Sequence, residues 1–232
     1  MFMIDITNLT KAYGRARGVT DLTLHVPGGS CYGFIGPNGA GKSTTIRTLL
    51  GLLSPTSGSA RVMGMDCVRQ RTEILAQVGY MPSEAMFYPQ MRAGEVIAYS
   101  AALRGLDCRR EAGELCRALD LDVRKRVREL SLGNRKKVSI VCAMQHRPRL
   151  YILDEPTSGL DPLVQRAFWQ LLEQRRQEGA TVFLSSHVLY EVARYCSLAA
   201  IIREGRLVAA GTTEELDIEN KFFDYYEGRL GQ

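Results

Sequence analysis

The chain has 232 residues, 45% of them hydrophobic, and its 30 Lys and Arg against 25 Asp and Glu give a formal charge of +5. That length suits one large α/β domain, or a core domain with a smaller subdomain, and the apolar runs are too short and interrupted to approach the roughly 20 residues a membrane helix needs. Six cysteines with no C-x-x-C pair read as free thiols in a reducing cytosol.

Residues 1–10 alternate Phe2, Ile4 and Ile6 with Asp5, Thr7 and Asn8, the pattern of a strand and not of a secretion signal. Lys11-Ala12-Tyr13-Gly14 leads to a half-exposed strand over Val19 to Val26, so Tyr13 lies in an opening antiparallel hairpin, where its ring can stack on a flat base. Cys31 to Ile35 reads as a short buried strand. It runs into Gly36-Pro37-Asn38-Gly39-Ala40-Gly41-Lys42-Ser43, and from Thr44 to Leu53 the residues Ile46, Leu49, Leu50 and Leu53 recur at helical spacing. The octet has the spacing G-x-x-x-x-G-K-[ST]. Its glycines let backbone N–H groups turn onto a nucleotide's phosphates, Lys42 neutralises the β and γ oxygens, and Ser43 offers its hydroxyl to Mg²⁺. The helix that opens at Thr44 adds unpaired N–H groups and its dipole to the same anion site.

Ser54 to Gly58 is a turn cluster, Ser59 to Met63 a strand, Asp66 to Gln77 a short helix, and Val78 to Met81 a strand running through Pro82 into a loop. From Glu84 to about Arg147 the pattern is helical, notably over Ala93 to Leu103 and Arg109 to Leu119, which makes this stretch an insertion between strands. Near its end, Leu130-Ser131-Leu132-Gly133-Asn134 precedes an almost wholly apolar helix over Val138 to Met144. Ser131 is a good N-cap and Gly133 sits in the first turn, so this is either a capped buried helix or a second anion-binding helix start. Arg124 to Arg128 and Arg135 to Lys137 are basic clusters. They read first as solvated faces, with an anionic membrane surface or nucleic acid as the sharper readings.

Leu150 to Glu155 is a buried strand that carries two carboxylates to its carboxyl end, the edge where open α/β sheets bind ligands. Asp154 can hold Mg²⁺ through water, and Glu155 can polarise an attacking water. Ser158 to Asp161 forms a turn, and Pro162 opens a helix with Val164, Phe168, Leu171 and Leu172 on one face. Thr181 to Leu184 is a strand leading through Ser185 and Ser186 to His187, placed as a γ-phosphate sensor. Leu198 to Arg203 and Arg206 to Ala209 form a closing hairpin around Glu204-Gly205. The aromatic tail with Phe222, Phe223, Tyr225 and Tyr226 reads as a helical segment packed on the core or on a partner.

In this order the motifs resemble the ATP-binding subunit of an ABC transporter, from Tyr13 to about Thr213. Tyr13 matches the adenine-stacking aromatic, Gly36 to Ser43 the Walker A loop, Leu130 to Asn134 the family signature, Leu150 to Glu155 the Walker B strand, Ser158 to Asp161 the D-loop and His187 the switch histidine. Two positions depart from the family pattern. Ser83, with Glu84 next, stands where a glutamine commonly contacts Mg²⁺ and the attacking water, and Leu132 stands where the signature has glycine.

The resemblance implies a P-loop NTPase core of mixed parallel sheet with helices on both faces, an N-terminal antiparallel β subdomain and an inserted α-helical subdomain. The core would cover about 1–83 and 148–215, the helical subdomain about 84–147, and a short tail about 216–232. It also implies ATP and Mg²⁺ as ligands, and two subunits closing head to tail so that Ser131, Leu132, Gly133 and Asn134 of one cap the ATP of the other. Lys42, Mg²⁺ and His187 would hold the γ-phosphoryl group while Glu155 activates water. The loop near Ser83 would move the helices of a separate permease at the cytoplasmic face of the membrane. The signature form and short tail resemble the ATPases of ABC-2 type exporters, including antibiotic-resistance pumps. Two other classes compete. One is a soluble ABC ATPase acting on nucleic acid or ribosomes, supported only by the basic clusters; the other is a non-catalytic ATP switch, against which Glu155 and His187 argue. Homodimer and heterodimer are equally open.

Overall fold

The computed structural model describes residues 2–14 and 16–227. Its first half runs β1 (Phe2–Tyr13), β2 (Ala16–Pro27), β3 (Cys31–Ile35), α1 (Lys42–Leu49), β4 (Ser57–Val62), β5 (Met65–Asp66), α2 (Arg71–Gln77) and β6 (Val78–Met81). The helical stretch holds α3 (Ala93–Ala102), α4 (Arg109–Ala118), a single 3₁₀ turn over Val127–Glu129 and α5 (Leu132–Met144). The chain then continues through β7 (Leu150–Asp154), α6 (Pro162–Gln177), β8 (Thr181–Ser186), α7 (Leu189–Tyr195), β9 (Leu198–Arg203), β10 (Arg206–Thr212) and α8 (Ile218–Glu227).

Two sheets result. An antiparallel sheet has the order β2-β1-β4-β5, and a six-stranded sheet has the order β10-β9-β3-β8-β7-β6, parallel except where β10 turns back on β9. Strands buried on both faces must be apolar throughout, and the alternation of their side chains divides the core in two. Cys31 and Ile35, Tyr151 and Leu153, and Val182 and Leu184 face α5, α6 and the helical stretch. Tyr32 and Phe34, Leu150 and Ile152, and Phe183 face α1 and the antiparallel sheet. The expected α/β architecture with both sheets and the helical insertion is therefore present. Residues of α3, α4 and α5 share one apolar cluster with β7 and β8.

Several element boundaries differ from the sequence reading, each for a local reason. The helix expected over Thr44 to Leu53 begins at Lys42 and stops at Leu49. Gly51 takes φ +65, and Leu52 N–H and Gly51 N–H donate to the Arg47 and Thr48 carbonyls at 2.8 and 3.0 Å, a Schellman stop that only a residue free to be left-handed closes easily. Ser57 and Gly58 belong to β4 and not to the preceding turn. Asp66 ends β5, and its Oδ1 accepts the Val68 and Arg69 N–H groups at 2.9 Å each, which holds a turn and delays the helix until Arg71. Ser185 and Ser186 extend β8, and α7 was not read from the sequence. Phe2 lies outside the core, half exposed and stacked on His25 at 4.8 Å. All six cysteines are free thiols. In the tail, the side chains of Phe222, Phe223 and Tyr226 lie outside the described residues, while Tyr225 packs on the core and its carbonyl accepts from Arg203 at 3.0 Å.

Candidate active site

Four neighbouring strands of the large sheet, β3, β8, β7 and β6, deliver their carboxyl ends to one edge. From them issue the loop 36–41, His187, the Asp154–Glu155 pair and Ser83. The loop after β3 closes on α1 through Gly41, the N-cap, at φ +110. A Cβ there would sit 3.0 Å from Val19 and 3.3 Å from the Gly18 carbonyl, so both the dihedral and the space demand glycine. The first turn of α1 carries no acid, which leaves its N–H groups and dipole for an anion. The tip of the β9–β10 hairpin braces the loop, with Gly205 N–H donating to the Ala40 carbonyl at 2.9 Å.

Lys42 is buried, and its Nζ donates to the Gly36 and Pro37 carbonyls at 2.6 and 3.2 Å. It also stands 3.4 Å from Glu155 Oε1. That contact is an ion pair without hydrogen-bond geometry, so Oε1 accepts no hydrogen bond although it is buried. The other oxygen, Oε2, meets His187 Nδ1 at 2.7 Å. One carboxylate thus lies between an ammonium and an imidazole. Glu155 has φ +50, left-handed for a residue with a side chain, and its N–H donates to the Ser185 carbonyl at 3.1 Å.

Asp154 is buried opposite Ser185 in the parallel register, and the Ser185 hydroxyl donates to Asp154 Oδ1. Mg²⁺ takes hard oxygen ligands and commonly keeps several waters beside one or two protein groups and a substrate's phosphates. The donor set here fits it: the Asp154 carboxylate and the Ser43 hydroxyl in the first turn of α1, beside a Glu155 Oε1 that accepts no hydrogen bond. Among the described residues no group of three or more His, Cys, Asp or Glu is placed to hold a metal ion. Glu191 of α7 lines the same 350 Å³ cavity as Glu155, Ser158 and His187. Burial pushes its carboxyl up, against hydrogen bonds from Thr157 and Ser186.

The remaining predicted residues fall around this centre. Tyr13 is 40% exposed at the end of β1, its ring next to Gly18, which in turn abuts Gly41. Ser131 caps α5 by accepting the Asn134 N–H at 3.3 Å, as its spacing predicts. Leu132 is 61% exposed and leans on the turn after β7, where a Cβ on Gly159 would meet Leu132 Cδ2 at 3.3 Å. Gly133 lies against the Gly159 carbonyl. Asp161 caps α6, accepting the Leu163 and Val164 N–H groups at 3.1 and 3.0 Å. The structure thus brings Leu132 and Gly133 against Gly159 of the 158–161 turn. Ser83 is half buried, and Glu84 is exposed to solvent.

One expectation is overturned. Lys136 and Lys137 are not a solvated face: both are buried, with Nζ atoms bonded to main-chain carbonyls of Ser83 and Glu155, and of Asp120. The helix turns them inward because nearly all of α5 is covered by α3, α4 and β6. Arg124, Lys125, Arg126, Arg128 and Arg135 are exposed. Sequence reasoning missed Lys136, Ser185 and Glu191. Ser185 had a signal in its place just before His187 at the end of a buried strand, whereas Lys136 was hidden inside a basic run.

The sequence model of the family described as ABC transporter matches residues 19–158. The chain is 36% identical over 222 residues to the bacitracin transport ATP-binding protein BcrA of Bacillus licheniformis, covering 94% of this chain and 72% of that protein. It is 33% identical over 223 residues to the probable multidrug ABC transporter ATP-binding protein YbhF of Escherichia coli (strain K12), covering 94% of this chain and 38% of that one. A solved structure of the ATP-binding subunit of an ABC transporter matches with a TM-score of 0.87 at 31% identity, over 97% of this chain and 94% of that chain. With its phosphate loop, paired acids and histidine on one sheet edge, this chain belongs to the ABC transporter family as an ATP-binding subunit, and it is an ATPase.

Proposed function

We propose that this ATPase energises a separate membrane permease as part of an exporter, working as a dimer at the cytoplasmic face, with Glu155 as the group that activates water. The observation that carries the catalytic part is the Glu155 carboxylate, held between Lys42 at 3.4 Å and His187 at 2.7 Å beside the phosphate loop. The loop 36–41 with Lys42, Ser43 and Thr44 binds the phosphates, and Tyr13 stacks on the base. Lys42 exchanges the Gly36 and Pro37 carbonyls for phosphate oxygens, His187 turns to the γ-phosphoryl group, and Glu155 accepts the proton of the attacking water. Ser43 and Asp154 would hold Mg²⁺, which when bound neutralises charge on the β and γ oxygens. Ser131 to Asn134 act across the dimer on the nucleotide of the opposing subunit, with Asp161 at the same interface.

The reading divides the chain into a core (about 1–83 and 148–215), a helical subdomain (about 84–147) and a tail (about 216–232). Among the described residues no helix is long and apolar enough to cross a membrane, which suits an ATPase that joins its transporter through a permease subunit. The helical stretch exposes the large apolar side chains of Met86 (94%), Tyr88 and Leu103, available to a protein partner. The names of the two relatives, for bacitracin and multidrug transport, support an exporter. The loss of Lys136 and Lys137 from the exposed basic surface removes support from the nucleic-acid reading.

Glu155→Gln tests the proposal, since it keeps size and hydrogen bonding but removes the basic oxygen. ATP should still bind while turnover falls at least roughly a hundredfold. The variant should accumulate as a dimer by light scattering with ATP and Mg²⁺, and adding Ser131→Arg should abolish that dimer. Hydrolysis at the native rate in Glu155→Gln would remove Glu155 from this role.

A further inference from the structure

Lys136 lies in the second turn of α5 and is only 4% exposed. A buried ammonium is costly unless hydrogen bonds replace its water, and here the partners are main-chain oxygens. Nζ donates to the Glu155 carbonyl at 2.6 Å and to the Ser83 carbonyl at 3.1 Å. Burial lowers its pKa, and the carboxylates of Glu155, Asp154, Glu191 and Glu84 oppose that shift. A single side chain therefore joins three segments: the helix that starts at Ser131, the loop after β6, and the residue that follows β7.

The bond to Glu155 falls on a backbone that needs holding. A left-handed conformation in a residue with a side chain persists where its surroundings fix it. At Glu155 the N–H is fixed by the Ser185 carbonyl and the C=O by Lys136, so both ends of the residue are anchored and the direction of its side chain is set. We propose that Lys136 is a positioning residue for ATP hydrolysis: it fixes the Glu155 peptide so that the carboxylate stands between Lys42 and His187. It also transmits any shift of α5 or of the Ser83 loop to that carboxylate. This rests on Glu155 being the group that activates water. Ser131 and Lys136 share a helix, so capping of a nucleotide by Ser131 and alignment of Glu155 in the same chain become one rigid-body event.

The test compares Lys136→Met, which keeps length but loses every donor, with Lys136→Gln, which keeps N–H donors without the charge. Single-turnover hydrolysis of radiolabelled ATP is measured with KM, and binding of ATP is measured separately without Mg²⁺. Lys136→Met should lower kcat at least tenfold with KM and ATP affinity within threefold of native, and Lys136→Gln should restore kcat to within threefold. In a Glu155→Gln background, Lys136→Met should cause no further loss, because the group it positions is already gone. Native kcat in Lys136→Met, or an undiminished tenfold effect in the Glu155→Gln background, overturns the proposal. Where Lys136→Met no longer binds ATP, Lys136→Gln decides: kcat within threefold of native supports it, and a tenfold loss at unchanged KM overturns it. Glu155→Gln alone reports on the water-activating role, so the two ideas fail separately.

Discussion

At Ser83, where the resemblance to ABC ATPases leads one to expect a glutamine, the side chain is a short hydroxyl, yet the loop is held by its backbone, through the bond from Lys136 to the Ser83 carbonyl. A longer side chain can therefore be added without removing that anchor. Ser83→Gln should keep or raise ATPase activity, and a tenfold loss, about 1.4 kcal/mol of barrier, would mean that Ser83 or its neighbour Glu84 contributes chemistry of its own. His146 supplies a prediction about pH. Burial and the nearby Arg104 push its imidazole from 6.5 down to about 4, while its Nε2 lies 3.3 Å from the Val78 carbonyl. A lowered pKa means that the unfolded chain binds the proton first, so stability is full above about 6.5 and declines as the pH falls towards about 4. The urea midpoint of the native chain should drop across that window more than that of His146→Leu. Lys42, Asp154, Glu155 and His187 were legible as candidates because each follows or ends a buried strand. Lys136 was not, because charge patterning says nothing about which side of a covered helix a lysine meets.

Among the elements, α4 is tied to α6 by charge. Arg175 of α6 is buried, donates to Glu111 of α4 and pairs with Glu178 at 3.0 Å, while Arg147 pairs with Glu111 at 2.7 Å. Glu111→Ala leaves Arg175 with only its half-exposed partner Glu178, and it should cost about 1.5–3 kcal/mol in urea unfolding. Element identity was mostly legible: β3, β6, β7, α3, α4 and α6 follow from apolar periodicity, and α6 starts at Pro162 behind its Asp161 cap. Boundaries were lost where a local bond overrides periodicity, as at Gly51 and Asp66. The short α7 escaped because seven residues, with only Glu191 and Val192 buried, give too little pattern to read.

Across the whole molecule, motif order in the sequence becomes a different order in space. The loop 36–41, then Glu155, then His187 follow one another along the chain, but β8 lies between β3 and β7, so His187 issues from between the other two. That is why the histidine meets Glu155, and no linear spacing could have shown it. The same placement has a consequence for how the protein is made. A chain leaving the ribosome exposes its phosphate loop early and its paired acids much later, and at neither moment is there a strand to hold one in register with the other. Cys31 must wait for Val182, and Leu150 for Thr181. Such distant pairings close late, so a nascent chain ending before β8 should carry every phosphate-loop residue and still fail to retain ATP. Nucleotide capture then doubles as a sign that translation has passed the strand that completes the sheet.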